Sequence, residues 1–161
     1  MDDPVSASLI LEVSEFLAHE ADLLDSGKFD EWLNLFDLDA IYWIPTSSNQ
    51  TDMKGQVSII LEDIPLLKLR IQRLSHPRAY SVTPPPETVH LIGNVKVAKQ
   101  NKTIIANSKL IVTEVRDDLE NRFTGSVTHQ LRPLRGGFRI KSKRIDLLKS
   151  GGEISVISVP L

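Results

Sequence analysis

The sequence predicts an α+β fold in which three N-terminal helices pack inside a curved, mainly antiparallel sheet. Three observations predict it. Apolar residues in the first half recur at helical spacing, while those in the second half alternate as in strands. A triple proline, Pro84-Pro85-Pro86, separates the two regimes; it fixes φ and cannot continue a helix. Short polar or glycine-bearing links join the later strands, as expected for consecutive hairpins. Helices with one apolar stripe and a sheet with one apolar face bury each other economically. At 161 residues one domain spanning 1–161 is expected.

Asp3-Pro4 supplies an N-cap acceptor and a first-turn proline, which predicts a helix start. Val5, Leu9, Val13, Phe16, Leu17 and Leu24 form its apolar face, and Gly27 its left-handed stop. A short second helix is expected over 29–35, then a strand-like run Ala40-Ile41-Tyr42-Trp43-Ile44 closed by Pro45. Residues 46–55 read as a loop, and Val57–Leu61 as an edge strand. Asp63-Ile64-Pro65 opens a third helix with Leu66, Leu67, Ile71 and Leu74 inward, and Ser75-His76-Pro77 ends it.

Strands are expected over about 88–98, 103–116, 122–132 and 137–148. In the first, Val89, Leu91, Val95 and Val97 share one parity and are taken as the apolar face. In the last, Phe138 and Ile140 have one parity, Ile145 and Leu147 the other, so a β-bulge is expected near Lys141–Arg144. The tail EISVISVP is β-like and is expected to add an edge strand or cover a neighbour.

Composition excludes several functions. Nineteen Lys+Arg against 21 Asp+Glu leave a net charge of −2, which disfavours nucleic acid and anionic membranes. No apolar run approaches the roughly 20 residues of a membrane span, and the acidic N-terminus lacks a signal peptide's basic start. A cytoplasmic location is expected. The chain contains no cysteine, which removes disulfides, thiolate metal sites and a cysteine nucleophile.

The segments EADLLDSGKFDEWLNLFDLDAIYWIP (20–45), QVSIILEDIPLLKLRIQRL (56–74), PPPETVHLIGNVKV (84–97) and FTGSVTHQLRPLRGGFRIKSKRIDLL (123–148) occur in this order. Together, with Arg70, Arg73-Leu74, the proline run, His90 and Asn94, they resemble the small (β) subunits of aromatic-ring-hydroxylating dioxygenases, members of the nuclear-transport-factor-2-like superfamily. The resemblance implies a cone-shaped fold and a structural role. It also implies a hexamer of three large and three small subunits, served by a ferredoxin or reductase. A Rieske [2Fe–2S] cluster and a mononuclear Fe(II) would reside on the large subunit, with no cofactor on this chain. The short 46–55 loop departs from longer members, so contacts made by that loop are not carried over. It leans toward the subgroup acting on aromatic acids.

The residues agree with that division. A Rieske centre takes two cysteines and two histidines. A non-haem oxygenase iron takes two histidines and a carboxylate. His19, His76, His90 and His129 are scattered, with no His-x₃₋₅-His pair.

Rival readings name other residues. A free-standing cone isomerase or dehydratase would use His90, His129, Asp39 or Tyr42 as its acid, base or positioning groups. A non-catalytic ligand-binding dimer is a third possibility. For the histidines the alternative is a hydrogen-bonded structural role, and for Asp37 and Asp39 it is turn chemistry. Trp32, Phe36, Tyr42 and Trp43 are read as core rather than a ligand cage. The basic hairpin (Arg132, Arg135, Arg139, Lys141, Lys143, Arg144) is read as a solvated face or as pairing with acids of a partner subunit.

Overall fold

The computed structural model describes residues 4–75, 84–148 and 156–161. Helix α1 covers Ala7–Asp25, α2 Phe29–Leu33 and α3 Ile64–Ser75. Strands are β1 Phe36–Pro45, β2 Ser58–Asp63, β3 Glu87–Gln100, β4 Thr103–Arg116, β5 Leu119–Leu134 and β6 Gly137–Leu147. They form one six-stranded sheet in the order β2-β1-β6-β5-β4-β3. Every neighbouring pair is antiparallel except β1 and β6, which run parallel. The helices pack on the inner face: α1 lies against β3, and α3 against β1 and β2.

Helix α1 starts later than the sequence predicts. Its N-cap is Ser6, whose hydroxyl accepts the Leu9 N–H at 3.1 Å. Asp3 lies outside the described residues. A hydroxyl three residues before a free amide caps as well as a carboxylate does, so the apolar period alone did not fix the start. The predicted stop is observed: Gly27 has φ +67°, where a side chain would be strained. Helix α2 is two residues shorter than expected because β1 begins at Phe36. Asp63 caps α3, its Oδ1 accepting the Leu66 N–H at 3.1 Å. Leu67 and Ile71 are buried, but Leu66 is half exposed and is not part of the inner face. The predicted end of α3 at Ser75-His76-Pro77 lies largely outside the described residues.

Two bulges set which residues enter the cone. On β6, Ile140 pairs with Leu131 and Ser142 with Gln130, so Lys141 is the extra residue. This is the predicted bulge, and it brings Ile140, Lys143 and Ile145 onto the inner face. A second bulge lies on β3, where Gly93 pairs with Lys109 and Lys96 with Asn107. Asn94 takes φ +51° there, a conformation that asparagine tolerates better than most residues. The phase of β3 therefore flips midway. Val95 and Val97 pack against the core, whereas Val89 and Leu91 face outward, 64% and 63% exposed. The expectation of one apolar parity along this strand is corrected accordingly.

Of the tail EISVISVP, residues 153–155 lie outside the described residues, and 156–161 form no strand. Instead Val159, Pro160 and Leu161 are buried, and Leu161 joins the core among residues such as Leu17, Trp32, Tyr42, Leu131 and Ile145.

Candidate functional site

The inner face carries charge as well as hydrocarbon. Glu20 lies on the apolar stripe of α1, three residues after Leu17 and four before Leu24, and is 3% exposed. His129 and Lys143 are direct cross-strand partners on β5 and β6, and both point inward. One Glu20 oxygen, Oε1, contacts His129 Nε2 at 2.8 Å and Lys143 Nζ at 3.1 Å. The other, Oε2, accepts the Trp32 indole N–H at 3.0 Å.

Burial alone would push the Glu20 carboxyl up. The Lys143 and His129 charges and the His129 and Trp32 hydrogen bonds outweigh it, holding the carboxyl well below the usual range. Glu20 is thus ionised and acceptor-only, so His129 Nε2 carries the hydrogen between them. Burial also lowers Lys143, against the attraction of Glu20.

The tail completes the cluster. Lys143 Nζ donates to the Leu161 main-chain oxygen at 2.6 Å, and the Leu161 N–H donates to Tyr42 Oη at 3.0 Å. Burial pushes the Tyr42 phenol up, so it stays neutral. A further tail contact comes from the Ser158 hydroxyl, which donates to the buried Glu114 side chain at 3.2 Å.

A second histidine is anchored separately. His90 Nδ1 contacts Asp25 Oδ1 at 2.5 Å, and Asp25 also accepts the His90 N–H and the Thr88 hydroxyl, each at 3.0 Å. Burial lowers the His90 imidazole below its ordinary value, only partly offset by Asp25. Among the described residues, His90 Nε2, His129 Nδ1 and Ser108 Oγ are buried without a hydrogen-bond partner.

The four residues of the rival enzyme reading are therefore not one site. His129 and Tyr42 meet the same cluster, His90 is held by Asp25, and Asp39 is exposed on β1. Asp37 is a strand residue rather than a turn residue. Arg132 binds it through two bonds, at 2.9 and 2.6 Å, and holds its carboxyl below the usual range.

The aromatic residues are core. Trp32 meets Phe36 edge-to-face at 4.9 Å and Tyr42 at 5.9 Å. Trp43 donates to Ser58 Oγ, with Arg144 stacked over its ring at 4.5 Å. Most of the basic hairpin is satisfied within the chain. Arg139 donates to the Asn34 and Phe36 carbonyls, Arg144 pairs with Asp146 and Lys143 is internal. Arg135 and Lys141 remain exposed.

Sequence reasoning missed Glu20 and the inward Lys143. The signals were present: Glu20 interrupts the α1 stripe, and the bulge at Lys141 gives Lys143 the parity of Ile145. No group of three or more His, Asp or Glu suited to a metal ion occurs among the described residues. With no thiolate in the sequence and the inward histidines tied to separate carboxylates, the described residues do not fit a Rieske cluster or a facial-triad iron. No helix among the described residues is long and apolar enough to cross a membrane.

Comparison with known proteins places this architecture. The chain is 34% identical over 150 residues to the anthranilate 1,2-dioxygenase small subunit of Acinetobacter baylyi, covering 89% of this chain and 92% of the relative. It is 30% identical over 153 residues to the small oxygenase component of the p-cumate 2,3-dioxygenase system of Pseudomonas putida, covering 91% and 85%. The fold matches the crystal structure of the benzoate 1,2-dioxygenase β subunit from Burkholderia mallei, with TM-score 0.74, 21% identity and 91% and 93% coverage. It also matches an NTF2-like protein with a cystatin-like fold from Novosphingobium aromaticivorans, with TM-score 0.60, 16% identity and 87% and 82% coverage. The family model described as ring hydroxylating beta subunit matches residues 19–151. A cone whose inward polar groups are bound to one another and to its own tail thus belongs to the family of β subunits of ring-hydroxylating dioxygenases.

Proposed function

We propose that this chain is the structural small subunit of a cytoplasmic oxygenase that adds dioxygen across the ring of an aromatic carboxylic acid to give a cis-dihydrodiol. Electrons come from NAD(P)H through a reductase or ferredoxin. The large subunit holds the Rieske cluster and the mononuclear iron, and three large and three small subunits form the complex. The substrate class is supported by the relatives' names, since cumate and anthranilate are aromatic carboxylates.

The observation that carries the scaffold role is the filled cone. His129, Lys143 and Tyr42, which a cone enzyme would turn toward substrate, are spent on Glu20 and Leu161. A general base needs an accessible substrate proton within hydrogen-bond reach, and here the tail takes that space.

Co-expression with the large-subunit gene tests this. The expected result is one species whose native mass fits three copies of each chain, with turnover per iron unchanged by His90→Ala or His129→Ala in assembled material. Loss of turnover with assembly and iron content intact would favour the cone-enzyme reading instead.

A further inference from the structure

We propose that the interior of the cone is a ligand site, and that its occupant is this chain's own Val159–Leu161, the buried end of the segment 156–161. The segment is held as a ligand is held. Leu161 buries its isobutyl group completely, while its N–H and main-chain oxygen are met by two side chains of the sheet, Tyr42 and Lys143. Both anchors are almost wholly buried, at 1% and 4% exposed. A polar arm in the core is costly unless its partner is present. Lys143 is also held by Glu20, so the tail receives one donor of a cation that the cone has already neutralised.

No regular structure ties the segment down. Residues 156–161 belong to no strand or helix, and Val159 and Pro160 line a cavity of about 100 Å³ together with Leu24, Phe29, Leu74 and Pro85. The described polar contacts of this segment are with side chains of the sheet, Tyr42, Lys143 and Glu114. Ser158 donates to Glu114.

The site selects a definite chemistry. It takes a branched aliphatic group, with a hydrogen-bond donor aimed at the Tyr42 oxygen and an acceptor aimed at the Lys143 ammonium. A short apolar peptide containing Val-Pro-Leu has all three. The inference goes beyond the scaffold role, because it makes the cone a recognition site whether or not the chain is assembled.

The test keeps the chain whole until it has folded. A site-specific protease sequence is inserted between residues 149 and 155, and the folded protein is cut. The expected result is that the released segment co-elutes with the body of the protein. Fluorescein-labelled Val-Ile-Ser-Val-Pro-Leu then displaces it saturably, with a change in the emission of Trp32, whose ring lies 5.9 Å from Lys143 Nζ. Tyr42→Phe, which removes only the oxygen, weakens the labelled peptide by about tenfold. A peptide carrying Leu161→Asp does not compete. Unfolding when the segment leaves would make it ordinary core and overturn the proposal. So would a folded, cut protein that does not take the peptide back, or equal binding by Tyr42→Phe.

Discussion

The residue that organises the interior is Glu20. Its two oxygens satisfy a lysine, a histidine and an indole, and all four side chains are buried. Removing one member of a buried ionic set leaves an uncompensated charge, whereas exchanging the pair for hydrocarbon is far milder. Glu20→Gln should therefore cost about 3–5 kcal/mol in urea unfolding. Combining Glu20→Leu with Lys143→Met should cost clearly less than the sum of the two single changes. Additive losses would show that the charges do not act as a set.

Titration carries a second expectation at the same scale. Folding lowers the His90 imidazole below its ordinary 6.5, so the folded state binds that proton less tightly than the unfolded chain does. The stability it contributes is complete above pH 6.5 and is lost as pH falls through the folded value. Glu20, also lowered, adds a second decline that begins below its ordinary 4.5. Urea midpoints measured against pH should fall in two limbs, and His90→Asn should remove only the upper one. An upper limb that persists in His90→Asn would contradict this assignment. His129 was legible as inward from the parity it shares with Phe123, Val127 and Leu131, whereas His90 was not, because its parity is opposite to that of Val89 and Leu91. The carboxylate partners of both were not legible, because Asp25 and Glu20 lie more than sixty residues away on α1 and only the fold brings them together.

At the scale of elements, the bulges and one glycine decide what the sheet presents inward. Gly125 on β5 pairs with Leu147 of β6, and a Cβ there would lie 2.2 Å from the Asp146 carbonyl oxygen. Gly125→Ala should force the two strands apart and lower stability by at least about 2 kcal/mol, read as a drop in the urea midpoint. A wild-type midpoint would show that β6 moves freely. Strand positions were largely readable from alternation and turn residues, and the Lys141 bulge from its change of parity. The Asn94 bulge was not, because Val89, Leu91, Val95 and Val97 keep a single parity straight through it. The extra residue is absorbed by a positive φ, which leaves no mark in hydrophobic periodicity.

At the scale of the molecule, the α+β class followed from the order of helices and strands, and the family from segments spread along the chain. The fate of the tail did not follow. The β-branched residues Val156, Ile157 and Val159 suit a strand, yet the segment runs unpaired into the cone, where Lys143 and Tyr42 meet its main chain. That arrangement packs the inner face of the sheet with the chain's own residues. The division of labour is tested most directly by iron and turnover measured on this chain alone and on the same chain co-purified with its large subunit. The account predicts no bound iron and no oxidation of an aromatic acid by the isolated chain, with both present in the complex. Stoichiometric iron or turnover in the isolated chain would contradict it.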